Sequence, residues 1–265
     1  MTGQLAWRWC YDLLASRGRG DQWSFMNYGY APSDPGAQVL ALDASETADR
    51  MCIQLYDHVV APVDLAGKDV VEVGAGRGGG AQWISRHRGP RTTTGVDLSD
   101  RAVQLCRRHR SGPGLTFVQG DALHLPLPDA SVDVVVNVES SHCYSSVPDF
   151  LREVHRVLRP GGALLFADLR DRQEIDTLVE QLETSGLRLV SRQDITAEVL
   201  DALRIDSDRK ATLMRTWFPR PVHGLVARFA ALQGSRTYRR FEDGDLVYVS
   251  AHLVRPLTEP RLNRD

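Results

Sequence analysis

Apolar and polar positions alternate in two rhythms along the chain. Between residues 67 and 168, short apolar runs alternate with stretches whose apolar residues recur every three or four positions. The runs predict strands over 68–73, 92–97, 115–119, 132–138 and 163–168. The stretches between them predict helices over 78–87, over 100–110 with Ser99 as N-cap, and onward from Pro148. In that last helix Phe150, Leu151, Val154, Val157 and Leu158 share a face, and Arg159-Pro160-Gly161-Gly162 stops it. The tail continues with an amphipathic helix over 171–184, a strand over 187–192, a polar, mostly helical stretch over 196–240 and a last strand over 245–255. Upstream, 5–15 and 47–60 read as helices, the second with Met51, Leu55 and Val59 at intervals of four. An aromatic loop over 23–36 lies between them and ends in Pro and Gly.

Strands alternating with helices predict an α/β fold: a doubly wound, mostly parallel, seven-stranded sheet with right-handed crossovers. We expect one domain over 1–265. An N-terminal helical lid would cover 1–66, the core 67–195 and 241–256, and a helical lid insertion 196–240. The length suits a single α/β domain with added helices and allows a large core.

Charge is nearly balanced, with 32 basic and 34 acidic residues. Such a balance predicts no broad electrostatic grip on nucleic acid or on an anionic membrane. Cys10, Cys52, Cys106 and Cys143 are far apart and form no Cys-x-x-Cys pair, which argues against structural zinc and against a disulfide scaffold. The first residues carry charges inside their apolar stretch and lack a signal-peptide layout, and no apolar run approaches the ~20 residues of a membrane span. A reduced, cytoplasmic setting is therefore expected.

The chemistry concentrates at predicted strand ends. Val70, Val71 and Val73 lead into Gly74-Ala75-Gly76-Arg77-Gly78-Gly79. Glycines there let a ligand approach the backbone with no Cβ in the way. The run also fits the dinucleotide pattern Gly-x-Gly-x-x-Gly, so the glycines alone leave a nicotinamide cofactor open. Glu72, two positions before the first glycine, suits a ligand with a cationic ammonium better than a pyrophosphate. Asp97, beside Leu98, ends the second strand 23 residues after Gly74, where a carboxylate accepts ribose hydroxyls. Gly120-Asp121-Ala122 follows the third strand and offers an acceptor for an exocyclic adenine amine. The fourth strand ends Asn137-Val138-Glu139-Ser140-Ser141-His142-Cys143-Tyr144. The Asn/Asp-Pro-Pro-aromatic run of base-methylating enzymes is absent there.

Together these motifs, over about 64–170, resemble the class I S-adenosylmethionine-dependent methyltransferases, whose core is Rossmann-like. The resemblance implies S-adenosyl-L-methionine as cofactor, held by Tyr28, Glu72, Gly74, Ala75, Gly76, Asp97, Leu98, Asp121, Ala122 and Asn137. Phe25-Met26-Asn27-Tyr28-Gly29-Tyr30, the run around His142 and Arg156–Arg170 look like bacterial natural-product methyltransferases. They are most similar to O-methylating enzymes of the phthiotriolone dimycocerosate type and more distantly to indolocarbazole sugar O-methyltransferases. In the sugar-modifying group a His after strand four and an Asp after strand five form the base system, positions matched here by His142 and Asp168.

Position supports the same pairing, since His142 and Asp168 lie at the ends of strands four and five, where catalytic groups gather in open α/β sheets. Imidazole can take a hydroxyl proton near neutrality, and an acid can orient it. The expected reaction is in-line methyl transfer to a hydroxyl of a small natural product, polyketide-like or glycosylated, as in antibiotic biosynthesis. Alternatives are C-methylation of an enol or alkene with Glu139 as base, and a cofactor-binding cyclase. Phe25 and Met26 in the lid, Tyr144 after strand four and Trp217 in the insertion are the expected substrate contacts. His142, Cys143 and His124 lack ligand spacing, so no metal is expected. No nucleic-acid or membrane partner is expected, and a homodimer is compatible with the sequence.

Overall fold

The computed structural model describes residues 23–34, 40–110 and 112–257. The helix predicted over 5–15, with Cys10, lies outside them. A seven-stranded sheet forms the centre, with strands β1 Asp69–Val73, β2 Thr92–Asp97, β3 Leu115–Gln119, β4 Val132–Val138, β5 Leu158–Asp171, β6 Arg188–Asp194 and β7 Leu246–Val254. Their order across the sheet is β3-β2-β1-β4-β5-β7-β6. The first five run parallel, whereas β7 is antiparallel to both β5 and β6. Helices α1 Arg50–Val60, α2 Gly79–His87, α3 Asp100–His109, α4 Val147–Val157 and α5 Ile175–Glu183 cover the faces. Helices α6 Thr196–Trp217, α7 His223–Phe229 and α8 Arg236–Glu242 form a cap between β6 and β7.

Alternation along β4 builds both faces of the core. Val134, Val136 and Val138 enter a cluster with Leu55 and Val59 of α1 and Val199 and Leu203 of α6, while Val132 and Val135 face Phe150, Leu151 and Val154 of α4. Ser99 caps α3 by accepting from the Ala102 amide, and Ser146 caps α4 by accepting from Asp149. β5 is longer than the predicted 163–168. Leu158 pairs with Val132 before a register shift, and β7 accompanies β5 out to Asp171 opposite Leu246. The aromatic loop has no regular secondary structure over 23–34, so the expected N-terminal helical lid is, within the described part, an extended strap followed by α1.

Candidate active site

The C-terminal ends of β1 to β5 open into a cavity of about 1500 Å³. This exceeds the ~300–1,000 Å³ of ordinary small-ligand sites and leaves space for two molecules. The strap, the glycine loop, the strand-end loops and the cap all contribute to its wall.

The glycine loop is built by backbone constraints. Gly74 has φ +77°, and a Cβ on it would collide with Ser140. The Gly74 and Ala75 amides donate to the Val96 carbonyl, locking the loop to β2 (2.8 and 3.0 Å). The Gly76 amide donates to Asp97 Oδ2 at 2.7 Å and the Ser99 amide to Oδ1 at 2.9 Å. Asp97 also lines the cavity. Leu98, 54% exposed, with Asp121 and Ala122, continues the wall. Asp121 Oδ1 accepts from the Leu123 amide at 2.9 Å, which fixes its turn.

Glu72 lies just behind this wall, 1% exposed. Burial raises its pKa to about 7 against the opposing pull of the Tyr56 hydroxyl, which donates to Oε1 at 2.5 Å. Oε2 is buried with no partner in hydrogen-bond geometry. An orphaned buried carboxylate oxygen beside a glycine-walled cavity fits a ligand that brings a cationic or donor group.

Two adjacent strand ends create a second site. β4 and β5 are neighbours, so the turn Ser141–Cys143 sits over Asp168, which is fully buried in β5. His142 Nδ1 lies 2.7 Å from Asp168 Oδ1. Asp168 Oδ2 accepts from the His142 amide at 2.8 Å and from Ser141 Oγ at 2.5 Å, and Arg170 Nη1 stands 3.0 Å away. Burial lowers the pKa of His142, but the charge and hydrogen bond of Asp168 outweigh it and the net shift is well upward. Burial likewise opposes ionisation of Asp168, yet His142, Arg170 and Ser141 hold its pKa well below the usual carboxylate range. The His142 side chain remains 35% exposed and lines the cavity.

The strap closes one side. The Tyr28 amide donates to Glu139 Oε1 at 2.6 Å, and the Tyr248 hydroxyl donates to the same atom at 2.9 Å. Glu139 has φ +47° and lines the cavity, and burial raises its pKa to about 7 despite those two donors. Lys210 of α6 donates to the Tyr28 carbonyl at 3.2 Å. Phe25, Met26, Tyr28 and Tyr144 all line the cavity.

Besides Glu72, which is buried behind the wall, two expected contacts do not line the cavity. Asn137 is fully buried beneath the wall, where its two Nδ2 hydrogens are shared among the Val73 carbonyl, Ser140 Oγ and the Tyr144 hydroxyl, so it shapes the loop rather than facing the cavity. Trp217 leaves the cavity wall because the end of α6 turns it against Trp23, with ring centroids 5.8 Å apart. His124, Cys143 and His142 do not converge. Among the described residues the one trio with ligating atoms within 4.8 Å is Asp43, Glu46 and His87, away from the cavity. Sequence reasoning missed Tyr56, Tyr248, Ser141 and Arg170. The last was visible in principle, since Asp168 and Arg170 are two apart on one strand and share a face.

Residues 71–166 match the model of a methyltransferase domain. A phthiotriol/phenolphthiotriol dimycocerosates methyltransferase of Mycobacterium tuberculosis is 41% identical over 248 residues, covering 93% of this chain and 91% of that protein. The chain belongs to the class I S-adenosylmethionine-dependent methyltransferases. Its cofactor is S-adenosylmethionine, and the orphaned Glu72 oxygen and the Asp97 carboxylate fit that ligand's ammonium and ribose. Another relative of this methyltransferase, a fatty-acid O-methyltransferase of Mycolicibacterium smegmatis, is 42% identical over 224 residues, covering 82% of this chain and 81% of that one. Among solved structures, the 4+2 cyclase SpnF superposes with a TM-score of 0.69 at 21% identity, covering 93% and 92% of the two chains. Geranyl diphosphate C-methyltransferase from Streptomyces coelicolor, solved with S-adenosyl-L-homocysteine, gives 0.61 at 19% identity, covering 86% and 87%. At these identities the two structures support the fold.

Proposed function

We propose that this methyltransferase transfers methyl to a hydroxyl oxygen of an apolar, polyketide- or lipid-like small molecule, with His142 as general base and Asp168 as its partner. The observation that carries this reading is the 2.7 Å contact between His142 Nδ1 and a fully buried Asp168. Relatives that share more than 40% of their residues are named for acceptors of lipid type, which supports the substrate class.

Bound S-adenosylmethionine supplies a methyl group already activated by its sulfonium. The residues that would hold it are Glu72, Gly74 to Gly76, Asp97, Leu98, Asp121 and Ala122, with Tyr28 in the strap above. Asp168 accepts from Nδ1, so Nε2 of the neutral ring is the nitrogen left to accept an acceptor's hydroxyl proton. The imidazolium so formed is stabilised by Asp168, which Ser141 and Arg170 hold in place. Partial exposure of the ring gives the proton a route to solvent. Aligning oxygen and methyl accounts for much of the remaining acceleration.

A partly exposed His held by a buried Asp favours a hydroxyl over a carboxyl acceptor. A carboxylic acid is ionised at neutral pH and needs no base, whereas an alcohol must lose its proton as the bond forms. His142→Gln should lower turnover by about 10²–10⁴-fold with S-adenosylhomocysteine affinity unchanged by calorimetry. Normal turnover in that variant would remove the base assignment. Glu139, buried, lining the cavity and with its pKa raised to about 7, is the observation that favours a second reading, carbon methylation with Glu139 taking the proton. NMR of the product separates a methoxy group from a carbon-bound methyl.

A further inference from the structure

The balanced overall charge conceals a strong local segregation. Eight of the chain's 32 basic residues fall within 209–241, a stretch with no Asp or Glu. Five of them, Arg215, Arg220, Arg228, Arg236 and Arg239, are exposed, and their side chains make no hydrogen bond or ion pair with another described residue. Elsewhere guanidinium groups are commonly tied down, as Arg91 is to Asp69, Arg156 to Glu153 and Arg159 to Asp133.

These five arginines belong to one helical layer. Arg215 is in the last turn of α6, Arg220 in the turn that follows, Arg228 on α7, and Arg236 and Arg239 on α8. α6 packs against both shorter helices. Arg228 and Arg236 also line the cavity, so the unpaired charge reaches its rim. Leu225 on α7 is 41% exposed, and Phe229 one turn later lines the same cavity.

We propose that this cap docks the enzyme on an anionic lipid surface, with the cavity rim against it. Unpaired arginines gain from anionic headgroups within a Debye length. Exposed Leu225 on a helix that also carries arginine suits shallow insertion below the headgroups. An acidic protein or a nucleic acid would match the charge, but nothing in its chemistry calls for the leucine. A rim at the lipid surface would also let an apolar acceptor enter without crossing water; that point rests on the acceptor reading above, while the charge argument stands without it.

Sedimentation of the full-length protein with vesicles tests the proposal. Phosphatidylglycerol vesicles should bind it at least about tenfold more tightly than phosphatidylcholine vesicles at low salt, with the difference shrinking as salt rises. The triple variant Arg215→Gln, Arg220→Gln, Arg239→Gln, none of which lines the cavity, should lose at least about tenfold in vesicle affinity while turning over a soluble acceptor normally. The control Arg86→Gln, Arg108→Gln, Arg188→Gln removes equal charge from α2, α3 and β6, and should stay within about twofold of the parent. Circular dichroism confirms that both variants fold. No preference for phosphatidylglycerol overturns the proposal, as does equal weakening in both variants. Retention on immobilised polyglutamate or heparin without vesicle binding overturns it in favour of a macromolecular polyanion. Because sedimentation needs no turnover, failure of the acceptor assignment is read separately.

Discussion

His142 and Asp168 shift one another in opposite directions, and each sign has a consequence. The raised His142 pKa contributes stability that is complete below its ordinary value of about 6.5 and is lost as pH rises through the folded value. The depressed Asp168 pKa contributes stability present above about 3.9 and lost as pH falls through the folded value. The pair therefore supports the fold most fully between about pH 4 and 6.5. Catalysis runs the other way, because a protonated ring cannot accept a proton. kcat/KM should rise with pH through an apparent pKa above 6.5, and Asp168→Asn should move that inflection down toward 6.5 while lowering the plateau. The variant leaves buried Arg170 without its carboxylate, at a cost of about 3 kcal/mol, so profiles are compared well below its melting temperature. A profile that stays flat in the parent enzyme would exclude His142 as the titrating base. This pair was legible in the sequence because His142 follows, and Asp168 lies near the end of, a recognisable strand. Trp217 and Asn137 were not: which way a helix end turns a ring, and whether an amide faces a cavity or the loop above it, depend on tertiary neighbours such as Trp23 and Tyr144.

The strap is the element whose behaviour follows least from its own sequence. Residues 23–34 lack regular structure, yet their backbone is held at many points. The Gly79 amide donates to the Ser24 carbonyl, the Tyr30 amide to Met51, and the Ala31 amide to Glu198 (3.2, 2.9 and 3.0 Å). Over the cavity, Glu139 holds the Tyr28 amide. Glu139→Ala should therefore release the centre of the strap while its ends stay fixed. Hydrogen exchange should show the Tyr28 amide protected in the parent and accelerated in the variant, with the Tyr30 amide little changed. Equal exchange at Tyr28 in both proteins would show that Glu139 is not the latch. The aromatic run identified an ordered loop, but not the carboxylate it closes on, because Glu139 is 111 residues away and joins it only in the folded chain. Strands β2, β3 and β4 have the predicted limits, since their apolar runs end where turn residues begin. β5 overran its prediction because a neighbouring strand extends it, and a pattern within one segment cannot register that.

The sequence presents 196–240 as an insertion, whereas packing makes its base part of the core. Val199 and Leu203 of α6 and Tyr238 and Phe241 of α8 share one buried cluster with α1, β4 and Tyr248 of β7. Only the outer end, around Phe218 and Val226 with Trp23 and Trp217, forms a cluster of its own. Core and cap should therefore unfold together, because exposing the cap would open the main cluster. The cavity joins the same parts, since its wall takes residues from the strap, from the loops after β1 to β5 and from the cap. A ligand held there stabilises the whole unit and not one lobe. Thermal unfolding followed by circular dichroism and by tryptophan fluorescence should give one coincident transition. S-adenosylhomocysteine at about 100 times its dissociation constant should add about 2.7 kcal/mol, raising the midpoint by roughly 5–10 °C in both signals. Two separated transitions, or a ligand shift confined to one signal, would show that the cap folds independently of the sheet that carries the cofactor.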